Sequence, residues 1–216
     1  MKKIVIIGSP GAGKSTFAQQ LGAILGIKVI HLDRYFFEPG LNWKEYPRED
    51  RIRIEQRLIE GKDCWIIEGS YLSSSDYRLQ MADTIITLDM PGWLCLWQAF
   101  RRRFWHQGLR PDLPENCKDR LRIFYILKIL IFPHRGRKLL LSKIDEITAY
   151  EAHASTKKTF HMFRSHKEAD AYLDALSLAK EVQNHAQQPA PAFAHDSSSE
   201  TLASLFPERE RDSALV

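Results

Sequence analysis

A glycine-rich stretch at residues 8–16 carries the residue types that bind phosphate. The pattern G-x-x-x-x-G-K-[ST] is filled here by Gly8, Gly13, Lys14 and Ser15. In such a loop, backbone N–H groups surround phosphate oxygens, the lysine reaches the β- and γ-phosphates, and the hydroxyl binds Mg²⁺. We therefore predict a site for ATP and Mg²⁺, with a catalytic role for Lys14. The residues expected to contact ATP are Gly8, Pro10, Gly11, Ala12, Gly13, Lys14, Ser15 and Thr16.

The segments on either side of this loop fit that interpretation. Residues 3–7 form a short apolar, β-branched run, which is typical of a buried parallel strand. Residues 14–25 have apolar side chains at helical spacing, and Gly26 then ends the helix. The helix therefore begins at the phosphate, where its dipole favours negative charge. The alternative is a glycine turn that binds no nucleotide.

Two acidic residues follow predicted strands and are candidates for chemistry. Asp33 comes after a strand at 28–32, and Glu68 after a strand at 64–67. Ligands of open α/β sheets bind at the carboxyl ends of the strands. Asp33 could accept a proton from a substrate hydroxyl or bind it through a Mg²⁺ water, and Glu68 could lie near Mg²⁺ and the substrate. The alternatives are a turn aspartate and a solvated strand-end glutamate.

Several arginines could stabilise the charge that develops when phosphate is transferred. Arg101, Arg102 and Arg103 are consecutive, and helical residues point about 100° apart, so at least one must face solvent. Arg110 lies in a Gly- and Pro-containing stretch, 106–119, that we predict to be a lid. We assign catalytic roles to Arg101 and Arg110.

Arg78 is a further candidate, as an anchor for an anionic acceptor substrate. It lies on a short predicted helix that follows Glu68. The alternative is a surface ion pair with Asp76 or Asp83.

Predicted strands and helices alternate along the chain, which favours a parallel sheet with helices on both faces. A fourth strand is predicted at 84–88 and a fifth at 158–163, and helices at 93–105, 120–132 and 137–150, the last two separated at Pro133 and Gly136. Ser165 with Glu168 forms a capping box that opens a last helix.

Charge divides the chain into two regions. Residues 1–180 carry a net charge of +8, whereas residues 181–216 carry −4. The excess of positive charge suits polyphosphate binding or nucleic-acid binding, and charge alone does not separate them. We predict one α/β domain over 1–180 and a disordered acidic tail over 181–216, where periodicity is lost.

The spacing of the cysteines and the hydropathy of the chain indicate where in the cell the protein is expected. Cys64, Cys95 and Cys117 show no C-x-x-C spacing, which favours reduced thiols and a cytoplasmic protein. The longest apolar run, 123–132, has ten residues and contains Lys128, which indicates a buried helix and no membrane span.

The chain resembles the adenylate-kinase-like small kinases, and most closely the bacterial topology modulation proteins. This resemblance implies an α/β P-loop NTPase fold in three layers (α/β/α), with a five-stranded parallel sheet of order 2-3-1-4-5 and a short lid. It also implies an ATP-dependent phosphotransferase with Arg164 and Ser165 near the adenine. It covers roughly residues 1–178 and is carried by the stretches at 7–16, 31–33, 39–43, 65–71, 78–86 and 110–112.

Two features depart from that family. It usually has Asp-Gly-Asn-Tyr where this chain has Glu68-Gly69-Ser70-Tyr71, and the acidic tail has no counterpart in it. The AMP-site pattern of adenylate kinases is not evident in this chain either. The acceptor and the oligomeric state therefore stay open.

Two functions follow from the sequence. The first is a kinase that transfers the γ-phosphate of ATP to a small hydroxyl or phosphate acceptor, such as a nucleotide, nucleoside or similar metabolite. The second is an ATP-binding regulator that presents basic residues to DNA or a protein partner. Those residues are Arg101, Arg102, Arg103, His134, Arg135, Arg137 and Lys138. A charge run is usually a solvated face, so we favour the kinase.

Overall fold

The computed structural model of the protein describes residues 1–38, 44–105, 123–151 and 158–187. The predicted lid at 106–119, with Arg110, lies outside the described residues, as does the predicted tail beyond 187. The side chain of Arg103 also lies outside them.

Five parallel strands form a single sheet in the order β2-β3-β1-β4-β5. The predicted P-loop kinase fold class and its strand order are therefore confirmed. Because neighbouring parallel strands run in register, the loops that follow β1, β2 and β3 emerge at the same edge of the sheet. The strands are β1 (Lys3–Gly8), β2 (Val29–His31), β3 (Trp65–Glu68), β4 (Thr84–Leu88) and β5 (Thr159–Phe163).

Helices connect these strands, and they cover both faces of the sheet. Alternate residues of β1 point to opposite faces, so Ile4 and Ile6 pack with α1, α4 and α7, whereas Val5 and Ile7 pack with α2, α3 and α6. These four side chains are fully buried. The helices are α1 (Lys14–Leu25), α2 (Arg48–Ile59), α3 (Asp76–Met81), α4 (Gly92–Trp105), α5 (Ile123–Ile131), α6 (Arg137–Glu151) and α7 (His166–Gln187).

The sequence predicted that a break at Pro133 and Gly136 separates two helices, and this prediction is wrong because the chain stays helical there. Phe132–Gly136 is a π-helical turn that joins α5 to α6 without leaving the helical path. Proline lacks an N–H and clashes with the carbonyl one turn back, and a wider turn accommodates it. Gly136 is required there, because an added Cβ would lie 2.6 Å from the Phe132 ring.

The chain forms two compact units, residues 1–180 and 181–216. The last helix, α7, extends to Gln187, so residues 181–187 are helical and the prediction of disorder from 181 is wrong for them. Within the described residues, no helix is long and apolar enough to cross a membrane.

Candidate functional site

The glycine-rich loop has the backbone that a phosphate cradle requires. Gly11 and Gly13 adopt φ values of +82° and +84°, in the left-handed region that favours glycine. Helix α1 begins directly after Gly13, without a side-chain cap and with no acidic residue in its first turn. The N–H groups at this helix end therefore have no capping side chain to compete with an anion for them.

Lys14 is held within this loop. Its side chain is 8% exposed, and its Nζ donates to the carbonyl oxygen of Ser9 at 2.9 Å. A buried ammonium that donates to a neutral carbonyl suits a site that receives negative charge, because a phosphate would neutralise it. The loop therefore fits a nucleotide polyphosphate.

A cavity of about 1010 Å³ opens above this loop and reaches the ends of β2 and β3. Its walls include most of the residues that the sequence singled out. Gly8 and Ala12 do not line it, because Gly8 ends β1 against Leu88 and Ala12 is part of the core. The predicted residues that line the cavity are Pro10, Gly11, Gly13, Lys14, Ser15, Thr16, Asp33, Glu68 and Arg101.

The two predicted Mg²⁺ ligands lie together. Ser15 Oγ donates to Glu68 Oε2 at 3.2 Å, and His31 Nδ1 lies 3.0 Å from the same oxygen. His31 and Glu68 are both buried. No role was predicted for His31, although it ends β2 two residues before Asp33.

The donor set fits Mg²⁺ rather than a metal held by protein alone. No group of three or more His, Cys, Asp or Glu side chains able to hold a metal occurs among the residues that the structure describes. Mg²⁺ commonly keeps several waters and takes one or two protein oxygens together with substrate phosphates. Ser15 and Glu68 supply two such oxygens at the phosphate loop.

Asp33 lies in a 3₁₀ turn that follows β2 and lines the same cavity as the phosphate loop. Its Oδ1 accepts a hydrogen bond from the Tyr71 hydroxyl at 2.7 Å. Burial and, next, the charge of Asp33 raise the pKa of Tyr71 well above its ordinary value, so this phenol stays a donor. The sequence analysis did not identify Tyr71 as a functional residue.

Arg78 does not lie in the cavity wall, where a residue that anchors an acceptor substrate would have to lie. Its side chain is fully buried, it does not line the cavity, and it forms an ion pair with the equally buried Glu55. The predicted alternative, a surface pair with Asp76 or Asp83, is also wrong. The physical reason is that α2 supplies a buried carboxylate, which compensates the guanidinium where water cannot.

The guanidinium of Arg78 instead supports the loop that follows β3. Its Nη2 donates to the carbonyl oxygen of Tyr71 at 3.1 Å and approaches that of Gly69 at 3.4 Å. Because Tyr71 in turn contacts Asp33, Arg78 acts on the site through the backbone of this loop.

Arg51 of α2 lines the cavity, and its role was not predicted from the sequence. Its guanidinium lies over the rings of Phe36 and Tyr71, 5.8 and 5.6 Å from their centroids. Its Nη1 donates to Glu45 Oε2 at 2.6 Å, and Glu45 Oε1 accepts from Lys128 Nζ at 2.8 Å. One glutamate thus joins α2 to α5.

The arginines of α4 lie at the phosphate end. Arg101 is exposed and Arg102 is half-buried, and both line the cavity. Gln98 of the same helix lies 3.2 Å from His166 Nε2, and a Cβ on Gly13 would lie 3.2 Å from that nitrogen. Helix α4 therefore borders the phosphate loop.

Ser165 and Glu168 form the predicted helix cap, with the Glu168 carboxylate bonded to the N–H of Arg164. Ser165 Oγ accepts from the N–H of Glu168 at 3.2 Å, and Glu168 Oε2 accepts from the N–H of Arg164 at 2.8 Å. Neither Arg164 nor Ser165 lines the cavity, whereas His166 does. The contact of Arg164 and Ser165 with adenine stays a prediction.

No protein-family model matches this chain. The chain is similar to adenylate kinase 2 from Nostoc sp., with 28% identity over 176 residues that cover 67% of this chain and 91% of that protein. Its structure is similar to shikimate kinase from Acinetobacter baumannii in complex with shikimate, with a TM-score of 0.48, 15% identity, and coverage of 87% and 96%. It is also similar to a gluconokinase from Sinorhizobium meliloti, with a TM-score of 0.41, 14% identity, and coverage of 87% and 98%.

Both TM-scores lie below 0.5, so the fold assignment rests on the strand order of this chain itself. The relationship to topology modulation proteins stays a prediction.

Proposed function

We propose that this protein is a small-molecule kinase that transfers the γ-phosphate of ATP to a hydroxyl or phosphate acceptor. One observation supports this most strongly: the phosphate loop with Lys14, the Ser15–Glu68 pair and the Asp33–Tyr71 pair all line one cavity. The similarity to an adenylate kinase is consistent with it.

Each of these groups has a role in the proposed reaction. ATP with Mg²⁺ would supply the phosphoryl group and leave as ADP. Lys14 would exchange its bond to the Ser9 carbonyl for phosphate oxygens, and Ser15 and Glu68 would hold the cation. Asp33 would take the proton of an acceptor hydroxyl as the oxygen bonds to phosphorus and the bond to the bridging oxygen of ADP breaks.

Positioning and electrostatics carry most of such a reaction. Arg101 and Arg102 line the phosphate end and carry the charge that would stabilise the transferred group. Arg110 keeps its predicted role as a lid residue.

The test is ADP formation by the purified protein with ATP and Mg²⁺, against nucleotides, nucleosides, sugars and small hydroxylated acids. We expect one class of acceptor to stimulate turnover, and Asp33→Asn to lower that turnover at least a hundredfold without weakening ATP binding. Tight ATP binding with no acceptor-stimulated turnover would contradict the kinase. It would favour the regulator, which the salt dependence of DNA binding would then test.

A further inference from the structure

We take as the acceptor side of the cavity the part lined by residues that follow β2 and β3 and by residues of α2 and α5. We define it by Asp33, Phe37, Glu45, Arg51, Tyr71 and Lys128, all of which line the cavity. Contacts connect these residues into one wall: Tyr71 bonds Asp33, Arg51 lies over the Tyr71 ring, and Glu45 bonds both Arg51 and Lys128. This surface is what an acceptor would meet.

The basic groups of this side are already neutralised by the protein. Glu45 places one carboxylate oxygen 2.6 Å from Arg51 Nη1 and the other 2.8 Å from Lys128 Nζ. Among the residues that the structure describes, the remaining charged group of the wall is Asp33. Two cations and two carboxylates therefore balance, and an incoming anion would have to displace Glu45 while lying near Asp33.

Backbone contacts, as well as the ion pairs of its side chain, fix the position of Glu45. Its backbone forms an antiparallel bridge with Phe37, and the adjacent Tyr46 N–H donates to the carbonyl oxygen of Phe36 at 2.8 Å. Arg51 has a side chain only 11% exposed and lies over two aromatic rings. Glu45 and Arg51 are therefore both held in place before any ligand binds.

Arg78, a further basic residue near this wall, is not accessible. Arg78 is fully buried and paired with Glu55. Arg78, which the sequence predicted to anchor an anionic acceptor, therefore does not line the cavity. On the described part of the chain, the cations Lys14, Arg101 and Arg102 line the phosphate end instead.

Within the described parts of the chain, apolar side chains and a serine complete this side of the cavity. Phe37, Leu127, Ile131 and Phe132 line it, together with Ser73. Apolar side chains can cover the C–H face of a sugar or the ring of a base, and Asp33 can bind a hydroxyl.

From this wall we infer that the acceptor is an electrically neutral, hydroxylated small molecule, such as a sugar, polyol or nucleoside. A nucleoside monophosphate or a hydroxy acid does not fit it. This inference rests on the proposed kinase function and deepens it, because it specifies the charge of the substrate. Glu45 is the residue that sets the discrimination, since it occupies the two cations that an anionic acceptor would otherwise use.

Matched pairs of acceptors that differ by one anionic group test the inference. The pairs are adenosine with AMP, cytidine with CMP, glucose with glucuronate, and glycerol with glycerol 3-phosphate, each with ATP and Mg²⁺. We expect at least one neutral member to be used, with a kcat/KM at least tenfold above that of its anionic partner. Preference for the anionic members would overturn the inference and leave the kinase function standing. No acceptor-stimulated turnover with any pair or any other acceptor would overturn both.

The variant Glu45→Gln tests whether Glu45 causes the preference for neutral acceptors. It leaves Arg51 and Lys128 without their shared carboxylate, so we expect the neutral-to-anionic ratio of kcat/KM to fall at least tenfold. Glu38→Gln is the matched control, because Glu38 pairs with the exposed Lys44 and does not line the cavity. The neutral-to-anionic ratio of kcat/KM in Glu38→Gln should stay within twofold of the wild-type ratio.

A second variant guards against loss of folding in Glu45→Gln. Lys128→Gln removes a half-exposed cation and leaves Glu45 in place. We expect it to lower the kcat/KM of anionic members further and to leave the preference for neutral ones. A gain for anionic members in Lys128→Gln, or an unchanged ratio in folded Glu45→Gln, would overturn the role of Glu45.

Discussion

The Tyr71 hydroxyl lies 2.7 Å from Asp33 Oδ1 and donates its proton to that carboxylate. The Tyr71 ring is packed edge-on against Phe36, with ring centroids 4.7 Å apart, and is therefore not free to turn. The carboxylate that we propose as the acceptor's base is thus oriented by a residue of a different strand end. This relationship links the loop after β3 to the turn after β2.

Tyr71→Phe removes this hydrogen bond and little else. We expect kcat to fall about tenfold, because a hydrogen bond to a charged group contributes about 1.5–3 kcal/mol and its loss frees the orientation of Asp33. The dissociation constant of ATP should change less than about twofold. Steady-state kinetics and titration calorimetry give the two values. Tyr35→Phe, at an exposed neighbouring position, is the control, and an unchanged kcat in Tyr71→Phe would contradict the role of this contact.

The Glu55–Arg78 pair is fully buried, so its two charges depend on each other. At about pH 8, where Glu55 is ionised, we expect Glu55→Gln to lower the free energy of unfolding by about 3–5 kcal/mol, because it leaves a buried guanidinium without its counter-ion. The double variant Glu55→Leu/Arg78→Met should recover most of that loss. Urea unfolding measures both. A double variant as unstable as the single one would show that the pair itself stabilises the fold.

That double variant also separates stability from activity. Arg78 donates to the carbonyl oxygens of Tyr71 and Gly69, and methionine cannot replace those bonds. We therefore expect a folded protein whose kcat is at least tenfold below that of the wild type, with ATP binding retained. Full activity would show that Arg78 does not position the loop.

Stability should also depend on pH through Glu55. Burial, offset in part by Arg78, raises the pKa of Glu55 to about 7 from an ordinary 4.5. Between these two values the folded protein binds more protons than the unfolded chain, so the free energy of unfolding falls as the pH rises. The slope contributed by this group is at most about 1.4 kcal/mol per pH unit.

The comparison that isolates this effect is the difference in unfolding free energy between the wild type and Glu55→Gln. That difference should shrink as the pH rises from about 5 to about 7, because only the wild type pays for ionising a buried carboxyl. A difference that is constant or grows with pH would show that Glu55 is ionised throughout.

Two glycines with similar backbones give a matched test of the phosphate loop. Gly13 and Gly26 have φ values of +84° and +72°, so alanine at either should cost about 1 kcal/mol of stability. An alanine Cβ at 13 would lie 3.2 Å from His166 Nε2, whereas at 26 nothing lies within 4 Å. We expect only Gly13→Ala to weaken ATP binding, by at least tenfold in calorimetry. Equal binding by both variants would place ATP elsewhere.

The sequence predicted the sheet and the phosphate loop well because both depend on local patterns. The bounds of α1 and β4 follow from residue spacing alone, and the strand order followed from the family resemblance. Ser15 and Glu68, both predicted near Mg²⁺, lie together because parallel strands bring their carboxyl ends to one edge, and their role as metal ligands stays a prediction.

The tertiary partners of charged residues could not be predicted in the same way. Glu55 and Arg78 are 23 residues apart, and only the packing of α2 on α3 buries them together. Tyr71 and Arg51 were missed for the same reason, since their roles come from a hydrogen bond and ring contacts made across the fold. The π-helical turn at 132–136 was missed because proline and glycine usually indicate a break.

The central claim is tested most directly by transfer of a labelled γ-phosphate from ATP to an accepted substrate, compared between the wild type and Lys14→Ala. Lys62→Ala, at an exposed position, is the control. We predict labelled product from the wild type and from Lys62→Ala, and at least a thousandfold less from a folded Lys14→Ala. Undiminished transfer by Lys14→Ala would contradict the account, because phosphoryl transfer would then not depend on this loop.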